Sequence, residues 1–115
     1  MKTFKIPNYP NLEFTFHTNT YANNNNTYIG ITCFEDGLPE PFSNLTVNLC
    51  VKLERNQAFI DINNNERPLI KYLTDNGFIK YMGIDRPSGF VMYPLFELNI
   101  EKINEYGGKI WLALL

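Results

Sequence analysis

The sequence has one histidine, His17, one tryptophan, two cysteines and no surplus of either charge: 10 Lys and Arg stand against 12 Asp and Glu in 115 residues. Each scarcity excludes something. A single imidazole rules out a His pair on zinc, and Cys33 and Cys50 add no close Cys-x-x-Cys spacing that would support a metal site. A net charge of −2 supplies neither the Lys/Arg-rich face that holds a duplex by its phosphates nor the dense carboxylate surface of a DNA mimic. No stretch approaches the roughly 20 apolar residues of a membrane span. The opening Met1-Lys2-Thr3-Phe4-Lys5-Ile6-Pro7 lacks the apolar run of a signal peptide, so a cytoplasmic protein is expected. Phosphate-cradling glycine patterns, Gly-x-Ser-x-Gly and Ser-x-x-Lys are also missing. No catalytic, cofactor-binding or metal-binding residue is assigned, and an enzyme is not expected.

What is present in quantity is aromatic and amide. Nine Phe and seven Tyr give a chain of this length the means to fill the core of a single compact domain over residues 1–115. Sixteen asparagines, with runs at 23–26 and 63–65, mark turns, because Asn tolerates left-handed backbone and bonds its own main chain. Cys33 shares the parity of Ile29 and Ile31, whereas Cys50 opposes that of Leu45, Val47 and Leu49, so free thiols facing different ways are expected. His17 alternates against Phe14 and Phe16 and reads as a solvent-facing strand residue.

Leu12, Phe14 and Phe16 alternate with Glu13, Thr15 and His17, a half-buried strand after a short Pro-bounded opening at 2–6. A second strand is expected over 27–34, joined to the first as an antiparallel hairpin across the Asn23–Asn26 turn. The connector Glu35-Asp36-Gly37-Leu38-Pro39-Glu40-Pro41 is read as a turn or loop, since proline cannot donate to a ladder. Leu45, Val47 and Leu49 give the cleanest alternation, and 57–62 another short strand. The segment Asn63-Asn64-Asn65-Glu66-Arg67-Pro68 supplies a helix start with Asn as cap and Glu in the first turn. Leu69, Ile70 and Leu73 continue at helical spacing to an Asn76-Gly77 exit. Residues 90–98 read as a strand in which Pro94 implies an edge position or a bulge. Asn99 caps a short helix over 100–105, ended by Gly107-Gly108, and 109–115 reads as a last strand. The expected architecture is α+β: a mainly antiparallel sheet of five or six strands with one main helix and one short one.

Two surface features are candidates for binding a partner. Glu35, Asp36 and Glu40 form the one local acidic cluster; their spacing does not make a calcium loop, and a solvated turn or a rim contact for a basic partner fits them better. Tyr72, Phe78, Tyr81, Phe90, Tyr93 and Phe96 concentrate aromatic rings in the last third. Most are expected in the core, with Tyr81 and Tyr93 the candidates for an exposed patch, since Tyr is enriched at binding hot spots. Lys71, Lys80 and Arg86 are too scattered to make this region a channel for single-stranded nucleic acid.

Several segments together resemble a family of small bacterial proteins of unknown function carried on conjugative elements, plasmids and prophages. They run in order: Tyr21-Ala22-Asn23-Asn24, Glu35-Asp36-Gly37 with Pro41-Phe42, Leu45-Thr46-Val47-Asn48-Leu49, Asn56-Gln57-Ala58-Phe59-Ile60-Asp61-Ile62-Asn63-Asn64, Asn76-Gly77, and Ser88-Gly89-Phe90 with Tyr93-Pro94-Leu95-Phe96. Where many relatives have a Cys-Pro pair, this chain has Asn65-Glu66-Arg67-Pro68, and the apolar end at 109–115 lies outside the resemblance. The setting implies an accessory of an invading element, similar in kind to the anti-CRISPR inhibitors of type II-A Cas9. The partner implied is a host protein, most concretely a CRISPR-associated nuclease, with no membrane and no direct duplex binding. The alternative is a structural or regulatory accessory with no anti-defence role.

Because His17 is alone and the thiols are not spaced as ligands, chelation should leave the fold intact. EDTA added to freshly purified protein should not move its melting temperature; a fall of several degrees would reveal a structural metal.

Overall fold

The computed structural model describes residues 2–110. Seven strands and two helices occur in the order β1 (Glu13–Thr20), β2 (Thr27–Glu35), β3 (Leu38–Asn44), β4 (Thr46–Val47), β5 (Gln57–Ile60), α1 (Arg67–Asp75), β6 (Ile79–Ser88), β7 (Val91–Leu98) and α2 (Ile100–Glu105). The strands make two antiparallel sheets, β1-β2-β3 and β4-β5-β7-β6. The α+β class and antiparallel pairing match expectation, but the strands among the described residues number seven and divide between two sheets.

The β1–β2 hairpin forms as its alternation requires, with Glu13 opposite Phe34 and Thr20 opposite Thr27. Phe14, Phe16, Ile29 and Ile31 are buried on one face, with Cys33 beside them. Cys50 is exposed, and both thiols are free. Chain passes between the sheets at Leu45, whose N–H donates to the Ile29 carbonyl and whose carbonyl accepts from the Asp61 N–H, each at 2.9 Å. The clean alternation over 45–49 therefore does not make one long strand. Leu45 enters the main core, only Thr46 and Val47 pair with β5, and Leu49 joins a second cluster with Phe59 and Leu95.

The connector 35–41 is a correction. It is a hairpin: Asp36 (φ 52°) and Gly37 (φ 81°) are both left-handed, as a type I′ turn demands. Beyond the turn Pro39 stands opposite Phe34 and Pro41 opposite Thr32. Glu35 and Leu38 close the turn, so alternation places both prolines where a strand N–H would point away from β2. Strand β3 is the sheet edge, and their missing donors break no ladder bond.

Helix α1 begins at Arg67 with Glu66 at the N-cap and no side-chain cap. The expected asparagine cap fails because Asn65 is used elsewhere. Its Nδ2 donates to the carbonyls of Asn44 (2.9 Å) and Asp61 (2.8 Å), and its Oδ1 accepts from Ser43 Oγ (2.7 Å). The buried amide thus ties the end of β3 to the chain after β5. Glu66 precedes the helix and accepts from Tyr9 Oη at 2.8 Å. At the other end Gly77 adopts φ 77°; its N–H bonds the Thr74 carbonyl and the Phe78 N–H bonds the Leu73 carbonyl at 2.9 Å, the paired closure of a Schellman motif. Asn99 caps α2 as expected, its side chain accepting from the Lys102 N–H.

Strand β6 carries no alternation that marks it in the sequence, and it is exposed from Lys80 to Ser88. Strand β7 lies between β5 and β6, but its pairing with β5 ends at Leu95, so Pro94 stands where that side of the strand is open, the expected edge position. A bulge lies beside it: Met82, Gly83 and Ile84 of β6 stand against the single residue Leu95 between the pairs Tyr81–Phe96 and Asp85–Pro94. Of the apolar end, Lys109 and Ile110 are irregular and the rest of the expected last strand falls outside the described residues.

Any side chain at position 77 must carry the left-handed backbone that glycine accepts freely. Gly77→Val should cost about 1 kcal/mol or more, read as a lower urea midpoint at unchanged slope. An unmoved midpoint would mean that the Schellman closure contributes nothing.

Candidate protein-binding arm

Strand β5 accompanies β7 only through Gln57–Glu97, Ala58–Phe96 and Phe59–Leu95. From residue 82 to 94 the β6–β7 hairpin therefore continues as a two-stranded arm. Its tip is Ser88-Gly89-Phe90-Val91, with Gly89 at φ 61° and Phe90 at negative φ. That is the type II′ arrangement, in which glycine takes the first central place.

Five of the seven large apolar side chains exposed among the described residues lie on this hairpin: Tyr81, Met82, Ile84, Phe90 and Met92. Phe90 is 109 % exposed, and Ile84 and Met92 are each 52 % exposed. Single exposed apolar residues need no explanation, but their concentration on one projecting element makes it the candidate interaction surface. The arm also carries Asp85 and Arg86, one charge of each sign. Isolated two-stranded ribbons are marginal in water; this one is anchored where Tyr81 meets the Phe96 ring at 5.6 Å and donates to Asp85 Oδ1 at 2.9 Å. That hydrogen bond, more than desolvation or the carboxylate charge, holds the Tyr81 phenol above its ordinary pKa.

The expected partner-binding residues do not form one site. Glu35, Asp36 and Glu40 sit on the β2–β3 hairpin of the other sheet, all exposed. Tyr81 is exposed at the base of the arm, as expected. Tyr93 is half-buried against Leu49, Phe59 and Leu95 and stands opposite Arg86, on the opposite sheet face from Tyr81 and Phe96. Of the other aromatic residues, Phe78 and Phe96 are buried in the main core and Tyr72 packs against it. Met82, Ile84 and Met92 belong to the exposed surface and were not singled out by sequence. The Gly89-Phe90 turn was the available signal, since it places an aromatic side chain at the tip of a hairpin.

Groups with reactive chemistry are dispersed. His17 is exposed on β1, with Nε2 3.4 Å from Tyr28 Oη and Nδ1 3.4 Å from Thr32 Oγ1. Its ring lies over Gly30, where a Cβ would stand 2.2 Å from His17 Cε1, so glycine makes room for it. Burial first, then the Glu40 carboxylate, pushes the Cys33 thiol up, away from the thiolate that reacts. Among the described residues no three His, Cys, Asp or Glu side chains come together to hold a metal ion. A cleft of ≈ 850 Å³ opens between the end of α1 and the start of α2, bordered by Lys80, Glu54, Glu97 and Glu101. It includes none of the expected site residues. No helix among the described residues is long and apolar enough to cross a membrane.

A family described as a domain of unknown function (DUF4313) matches residues 15–110, and the chain belongs to that family. No curated protein and no solved structure matches.

If the arm's apolar side chains serve an interface and not the fold, replacing Ile84, Phe90 and Met92 together by Ser should change stability by no more than about 0.5 kcal/mol per site. Thermal and urea unfolding check this. A loss of several kcal/mol would show that these residues pack in the fold.

Proposed function

We propose that the protein is a non-enzymatic binding module that docks on a protein partner through the β6–β7 arm, with Phe90 as its anchor. The observation that carries this reading is the gathering of Met82, Ile84, Phe90 and Met92 on a hairpin that leaves the sheet, with Phe90 fully exposed at the tip. Burying such a side chain contributes roughly 1.5–3 kcal/mol, and aromatic anchors in pockets dominate protein interfaces. A charge-balanced arm with one arginine offers a nucleic-acid backbone little, which favours an apolar pocket on a protein.

In the setting implied by the resemblance, the protein works in the host cytoplasm, and the most concrete partner is a type II CRISPR-associated nuclease. Inhibition would come from occlusion. An arm and its flanks covering roughly 800 Å² on this side would suffice to block a nuclease surface. Each bound copy then silences one nuclease.

Cleavage assays with purified type II-A nucleases test the reading. Activity should fall in proportion to added protein and reach its floor near one copy per nuclease, and Phe90→Ala should raise the concentration needed tenfold or more, about 1.4 kcal/mol of binding. Absence of inhibition across the nucleases tested would remove this partner. Inhibition far below one copy per nuclease would mean turnover, hence an enzyme.

A further inference from the structure

We propose that the protein also pairs with a second copy of itself through the β3 edge, the acidic turn of each copy seating on an apolar hollow at the start of α1 in the other. The hollow is lined by Ile62, Asn65, Arg67, Pro68, Ile70 and Lys71. Ile62, 46 % exposed, supplies part of its apolar lining, and Arg67 and Lys71, one helical turn apart, add positive charge to it. Lys71 meets Asp75 at 2.7 Å, but that ion pair is solvent-exposed and contributes little. The nearest other carboxylate in sequence, Glu66, is engaged by Tyr9 Oη. What fits such a hollow is an aliphatic side chain carried between carboxylates.

The chain presents that chemistry on its own surface. Leu38 is 71 % exposed and follows Glu35, Asp36 and Gly37, with Glu40 two residues on. It does not reach its own hollow, because both are fixed to the two ends of one strand. Leu38 begins β3, and Asn65, in the lining, is bonded to Ser43 and Asn44 at its end. Two β3 edges laid antiparallel about a two-fold axis therefore bring turn to hollow at both ends, an isologous contact. Pro39 and Pro41 remove the donors that β3 would turn outward, so side chains at the ends carry the contact and no continuing sheet forms. Negative turn meets positive flank twice in each dimer. Two small contacts place the interface near the lower limit of specific ones, so the dimer is weak.

Sedimentation equilibrium from roughly 5 µM to 0.5 mM, the range such an interface reaches, tests this with two variants. One is Glu35→Lys/Asp36→Lys/Glu40→Lys and the other is Arg67→Glu/Lys71→Glu; circular dichroism confirms that each is folded. The native protein should dimerise with concentration and weaken severalfold in 1 M salt. Each variant alone should be monomeric, since both contacts then oppose like charges. An equimolar mixture should regain the dimer, because reversed turn meets reversed flank in one contact and native meets native in the other. Leu38→Ser should weaken the dimer at least fivefold without any change of charge. Phe90→Ala should leave it unaltered, which separates this interface from the arm. A native protein that stays monomeric throughout, a dimer indifferent to both charge variants, or a mixture that remains monomeric would each overturn the proposal.

Discussion

The fold turns on one ring. Phe4, 3 % exposed, lies within 5.1–6.1 Å of the rings of Phe14, Phe16, Tyr72, Phe78 and Tyr106. Those partners come from β1, α1, the α1–β6 joint and the end of α2, so one side chain holds together elements spread through the chain. Its own backbone is fixed by a two-way bridge to Phe14, with N–H to carbonyl distances of 3.0 and 2.8 Å. Aromatic pairs of this kind add to the burial of area alone. The Schellman closure matters for the same reason: it delivers Phe78 into that cluster immediately after the helix ends.

Around the aromatic centre, asparagines do the joining. Asn65 clamps the end of β3 to the exit of β5. Asn26, also buried, receives the Leu53 N–H on Oδ1 and donates through Nδ2 to the Val51 carbonyl. Asn24 and Asn48 are bonded through their amides. These contacts fasten the β1–β2 turn to the irregular chain between β4 and β5, which has few ladder bonds of its own. Unmade bonds of this kind are costly, and among the described residues no buried side-chain polar atom lacks a partner.

Alternation made β1, β2 and their hairpin legible, and Asn76-Gly77 and Asn99 marked helix ends, because these signals act over a few residues. What stayed hidden depends on neighbours distant in sequence. The prolines of β3 read as ladder breakers until the edge position is known, although Asp36-Gly37 was a primed-turn signal in plain view. Asn65 looked like a helix cap, but three tertiary bonds outcompete that local use. Strand β6 has no buried alternating face, and its bulge at 82–84 resets what parity it has. The candidate surface was half legible: Tyr81 is exposed as expected, whereas Tyr93 is held by a second cluster that no local pattern around it announces.

Two hairpins built on primed turns end in opposite surfaces, and the difference follows from what each turn needs. A type I′ turn takes left-handed backbone at both central positions, which Asp36-Gly37 supplies, and the flanking Glu35 and Glu40 leave that tip acidic. A type II′ turn needs glycine only at the first, so the second position at the arm's tip is open to a bulky side chain, and here it holds Phe90. Exposed charge acts over about 10 Å and fades with salt, whereas apolar contact acts at touching distance and is not screened. The two tips therefore suit different tasks, orientation of an approaching surface for the acidic one and retention of a bound surface for the apolar one. The two tips belong to different sheets, so the proposed contacts would fall on separate parts of the fold.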